Sequence, residues 1–128
     1  MSYTIQQRAD GEFDDVVQRT ITALEGEGFG VLCDVDVQAT FAEKLDEDFR
    51  RYRILGACNP GLAKEGLETE IELGALLPCN VVVYETDAGD VVVSAVDPSR
   101  LLDVAEESDL ESLGAEVTER FERVLDAL

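Results

Sequence analysis

Two short apolar runs, each carrying a thiol at the end where they would meet, constrain this chain more than any other feature. Between Arg51 and Glu85 it reads RYRILGACNPGLAKEGLETEIELGALLPCNVVVYE. Tyr52 to Cys58 has strand character and runs into Asn59-Pro60-Gly61, and a second strand emerges from Pro78-Cys79-Asn80 into Val81-Val82-Val83-Tyr84. If the two pair antiparallel, the end of the first lies beside the start of the second, and Cys58 and Cys79 share one edge of the sheet. Asn59 and Asn80 each follow a cysteine, so Cys58, Asn59, Cys79 and Asn80 form the candidate ligand or redox site.

The flanking segments supply the scaffold. Tyr3 to Arg8 alternates as a short strand, with Tyr3, Ile5 and Gln7 on one side. Phe13, Val16, Val17, Thr20, Ile21 and Leu24 fall at helical spacing with one apolar stripe. Val31 to Val37 alternates Val31, Cys33, Val35 and Val37 against Leu32, Asp34 and Asp36, which predicts a strand with Cys33 as a small core hydrophobe. Phe41, Leu45 and Phe49 suit a short helix over Gln38 to Asp48. Asn59 as N-cap and Pro60 as first helical residue predict a helix that Gly66 stops, followed by irregular chain over Glu68 to Leu77. Asn80 to Glu85 and Asp90 to Val96 read as a hairpin around Thr86-Asp87-Ala88-Gly89. Asp97-Pro98 opens another helix, and Ser108 with Glu111 predicts a capping box for a last helix through Leu128.

The element order predicts one α+β domain over residues 1–128: a mainly antiparallel sheet of about five strands backed by two long helices, with short extra helices. Both hairpin strands are apolar on both faces. A sheet backed on one side only needs a second cover, and homodimerisation through the bare face is its simplest source, a fold covering both faces within one chain being the alternative.

Composition excludes a good deal. The 128 residues contain no histidine, which removes Ser-His-Asp and Cys-His nucleophile pairs and His-ligated metals or haem. Acidic residues number 29 against 10 basic, a net charge of −19, which argues against nucleic-acid binding and suits a salty cytoplasm. No apolar run reaches the roughly 20 residues of a membrane span, and the first residues are too polar for a signal peptide. The odd count of 3 cysteines argues for reduced thiols in a cytoplasmic protein.

The segment from Gly56 to Glu85, followed by Val91 to Pro98, is similar to the domain of unknown function 302 family. The signatures are Ala57-Cys58-Asn59-Pro60 and Leu77-Pro78-Cys79-Asn80-Val81. The resemblance implies a TATA-binding-protein-like α+β fold of strand, helix, four strands and helix, in a small protein that tends to be dimeric, with no settled activity and no DNA function.

Three functions fit these residues. The first is a homodimeric small-ligand or thiol-redox module, with Cys58 activated by the N-terminus of the following helix. The second is a dimeric protein-interaction scaffold in which the cysteines are packed and the asparagines cap turns. The third, a cysteine enzyme with Asn80 polarising its substrate, lacks a general base and is the least favoured. Two thiols do not complete a tetrahedral metal site, so no metal is expected, and the residues name no cofactor.

Overall fold

The computed structural model describes residues 2–105 and 107–128. β1 (Thr4–Ala9) leads into α1 (Phe13–Gly26), β2 (Gly30–Asp36), α2 (Val37–Leu45), β3 (Tyr52–Cys58) and α3 (Pro60–Thr69). A 3₁₀ helix over Ile71–Leu76 precedes β4 (Cys79–Glu85), β5 (Val91–Val96), α4 (Pro98–Asp103), a 3₁₀ turn over Ser108–Leu110 and α5 (Glu111–Asp126). The strands form one sheet in the order β1-β5-β4-β3-β2, with every pairing antiparallel. The expected α+β architecture and its five strands are therefore present.

Pleat alternation decides which residues meet the helices. Leu55, Ala57, Val81, Val83, Val91, Val93 and Ala95 point inward and are buried with Val16, Val17 and Leu24 of α1 and Val117, Phe121 and Val124 of α5. Phe121 packs on Phe29 with ring centroids 4.9 Å apart. Arg120 and Arg123 join α5 to the end of α1, donating to the Glu27 backbone oxygen and its carboxylate, both at 2.9 Å. A second, smaller cluster of Leu73, Leu102, Leu110 and Leu113 forms where the 3₁₀ helix and α4 meet α5.

Several local expectations change. Cys33 is exposed, not core. β2 is an edge strand, and its register shifts between Val31 and Cys33, so that Val31 lies opposite buried Ala57 while Cys33 and Val35 pair with Gly56 and Ile54 on the outward face. The extra residue, Leu32, breaks the alternation on which the buried reading rested. Tyr3 is likewise exposed. Gly66 does not stop α3: it lies within the helix at a close approach, where a Cβ would come within 2.6 Å of Leu73 Cδ2 and 2.9 Å of Leu113 Cδ2. Residues 71–76 are 3₁₀ rather than irregular. No side chain caps α5, whose N-cap is Leu110, because the 3₁₀ turn displaces Ser108 from the capping position. α2 ends at Leu45, leaving Phe49 beyond it but still in edge contact with Phe41 at 5.0 Å.

Candidate functional site

The site begins where β3 ends. Residue Ala57 pairs with Cys79 of β4, which puts Cys58 one position beyond that pair and both thiols at the same end of two interior strands. Asn59 then turns the chain into α3, its side-chain oxygen accepting from the Leu62 backbone N–H at 3.1 Å, with Pro60 in the first turn. The cap fits because Asn59 holds extended backbone (φ −98°, ψ 109°) before the helix starts. Gly28, at φ 87°, presses the turn after α1 against this corner; a Cβ there would sit 2.8 Å from Asn59 Nδ2. Only glycine combines that backbone with that approach.

Cys58, Asn59 and Cys79 line one slot, whose walls come from Phe29, Leu62, Leu73 and Leu77 with α4 and α5 beneath. The slot encloses about 40 Å³ and is predominantly apolar. That surrounding sets the chemistry of the thiols. Burial raises the Cys58 thiol above its ordinary range, and burial reinforced by Cys58 raises Cys79 to about 11. Loss of solvation at Cys58 therefore works against the thiolate that the N-terminus of α3 would favour.

Asn80 is not part of this slot. It is exposed, pairs with Gly56 and points outward, because successive strand residues face opposite sides of the sheet. It cannot polarise a group held between Cys58 and Cys79.

Asn80 belongs instead to the outward face, where a shallow groove of about 570 Å³ also includes Tyr3, Gln6, Tyr52, Tyr84 and Ser94. Tyr52 and Tyr84 are opposite one another in the register and stack at 5.6 Å and 17°. Burial, followed by Tyr84 and Tyr3, raises the Tyr52 hydroxyl above its usual range. Phe49 lies 6.3 Å from Tyr52 and continues the row to Phe41. The cross-strand contact of Tyr52 and Tyr84 escapes sequence reasoning, because it depends on register; only their positions at the two strand ends hint at it. A further depression beside α4, lined by Ser99, Asp103 and Glu111 among others, contains none of the expected site residues.

Among the described residues no three His, Cys, Asp or Glu side chains are grouped to hold a metal ion, and no helix is long and apolar enough to cross a membrane.

Comparison with known proteins places this geometry. A family model described as "Domain of unknown function DUF302" matches residues 4–128. The solved structure of an uncharacterised conserved DUF302 protein from Bacillus stearothermophilus is similar at 26% identity and a TM-score of 0.93, covering 99% of this chain and 98% of that one. No curated protein matches the sequence.

Proposed function

The chain belongs to the DUF302 family, and from that premise we propose that it is a homodimeric thiol-redox module whose working groups are Cys58 and Cys79. The observation that carries this reading is their sharing of one small apolar slot. Size selects among the ligands such a slot could take. About 40 Å³ is far below the roughly 300–1,000 Å³ of sites that enclose organic molecules, so the guest is small or is a sulfur of a reagent attacked at the mouth. Two cysteines at the same end of adjacent strands suit a slow dithiol–disulfide couple, the thiolate needed for exchange being a minor species at neutral pH. In that step a low-molecular-weight disulfide oxidises the pair: one S–S bond forms within the chain, the reagent's S–S bond breaks, and two protons and two electrons leave with the two released thiols.

The same environment disfavours a cysteine enzyme. A thiol held above its ordinary range is a weak store of nucleophile, and no histidine exists to activate it.

Mild oxidation with diamide, followed by peptide mapping, tests the pair. A Cys58–Cys79 link with Cys33 still free is the expected product. Two unlinked, separately alkylated cysteines after exhaustive oxidation would overturn the redox reading.

The outward sheet face supports the homodimer. Its strand positions, including Thr4, Val35, Ile54, Val82, Tyr84 and Val96, carry no carboxylate although the chain has 29. Two chains of net charge −19 can approach closely only where acids are absent, so a second copy presenting the same neutral face is the partner that fits. Strand spacing and rise make this face roughly 24 by 20 Å, a footprint of about 480 Å² before side-chain relief and flanking loops add to it, against the about 800 Å² per partner of a standard interface. Tyrosine enrichment and charge depletion at its centre match the composition of interface cores.

A further inference from the structure

The slot beside Cys58 and Cys79 differs from an organic ligand site in three respects that point the same way: it is atom-sized, it is predominantly apolar, and two cysteines are among its lining residues. We propose that Cys58 and Cys79 together form a two-coordinate site for a soft monovalent d¹⁰ cation, with Cu(I) as its natural occupant. The inference rests on the reading that these two thiols work as a pair.

Ligand chemistry decides the choice of ion. Thiolates select soft metals, chiefly Cu(I), Zn(II) and iron–sulfur clusters. Zinc in structural sites takes four ligands in a tetrahedron, and iron–sulfur clusters also require four protein ligands. Among the described residues only two cysteines line this slot; Asn59 commits its side-chain oxygen to the Leu62 N–H, Asn80 points to the other face of the sheet, and Cys33 lies outward beside Gly56. A two-coordinate bis-thiolate is the arrangement that Cu(I) accepts and the other candidates do not. Among the described residues no third His, Cys, Asp or Glu joins this pair, and a two-coordinate site asks for none.

Room and charge are consistent with such a site. About 40 Å³ accommodates one ion, and the apolar side chains of Phe29, Leu62, Leu73 and Leu77 offer it no further ligand. Binding is not a redox step: one Cu(I) replaces two thiol protons, giving a complex of charge −1 and two released protons. That single negative charge sits at the start of the ten-residue α3, where the helix dipole favours an anion. Because thiol ligands bind a metal as thiolates and release their protons, affinity must rise with pH as proton competition falls.

The test uses the full-length Cys33→Ser protein, kept reduced and anaerobic, with Cu(I) presented as its bicinchoninate complex. The expected result is withdrawal of one Cu(I) per chain, an X-ray absorption edge of two-coordinate copper bound to sulfur, and tighter capture at pH 8 than at pH 6, on the order of the proton competition that thiol ligands show. Cys58→Ser and Cys79→Ser, checked for folding by circular dichroism, should each lose the competition. Retention of copper in either single variant, or a spectrum of three or more ligands, would overturn the proposal. So would failure to bind copper in protein that still forms the Cys58–Cys79 link with diamide, and that outcome leaves the redox reading standing. Failure of both link and copper would remove the shared slot itself.

Discussion

At the scale of single residues, burial sets the direction in which the two slot thiols shift. Cys58 follows directly into a helix N-terminus and Cys79 begins a strand, yet the apolar slot lifts both thiols above their ordinary range. For Cys79 this has a consequence for stability. In the unfolded chain its thiol ionises near 9, whereas in the folded chain it does so at about 11. The folded state therefore holds its proton more tightly, so the contribution is whole below about pH 9 and is lost as pH rises through the folded value. A difference of about two units corresponds to about 2–3 kcal/mol at most. Denaturant unfolding of reduced protein between pH 8 and pH 11 should show this decline, and Cys79→Ala should show a shallower one because only the background from other groups remains. Equal slopes for the two proteins would mean that Cys79 is solvated in solution.

At the scale of elements, α3 organises the slot, and its start depends on Asn59. The Asn59 side chain satisfies the Leu62 N–H, while Leu62 and Ala63 form part of the slot wall. Asn59→Ala should cost about 1 kcal/mol of stability. Local opening of α3 should also make Cys58 alkylate faster, with Cys33 labelling unchanged as an internal control. A variant with lowered stability but unaltered Cys58 labelling would show that the cap supports the fold without guarding the slot. This cap, the order of the strands along the chain, the hairpin over Thr86–Gly89 and the apolar stripes of α1 and α5 were all legible in the sequence, because each depends on residues close in the chain. Features that depend on neighbours across the sheet were not. The bulge at Leu32 turns Cys33 outward, the pleat separates Asn80 from Cys79, and Leu73 with Leu113 explains Gly66, none of which local periodicity records. The placement of Cys58 and Cys79 at one end of neighbouring strands follows from strand pairing and was foreseeable; the slot wall of Phe29, Leu73 and α5 side chains, distant in sequence, was not.

At the scale of the whole molecule, charge is divided between the faces of the sheet. The outward strand positions are free of acids, while a net charge of −19 is carried elsewhere, so the proposed assembly through that face would work against electrostatic repulsion. Salt acts on the second and barely on the first, since screening shortens from about 10 Å at 0.1 M to about 3 Å at 1 M while apolar burial persists. Raising sodium chloride over that range should therefore raise the melting temperature, by about 4 °C for each kcal/mol of repulsion removed, and should shift sedimentation towards the dimer. Val82→Glu places a carboxylate at the centre of the outward face, between Ile54 and Ser94 in the register, without touching the helix-covered core. It should remain folded and keep the salt-dependent gain in melting temperature, yet sediment as a monomer at every salt concentration. A wild-type dimer that dissociates as salt rises would instead mean that ion pairs hold the copies together, and a Val82→Glu dimer would place the contact on another surface.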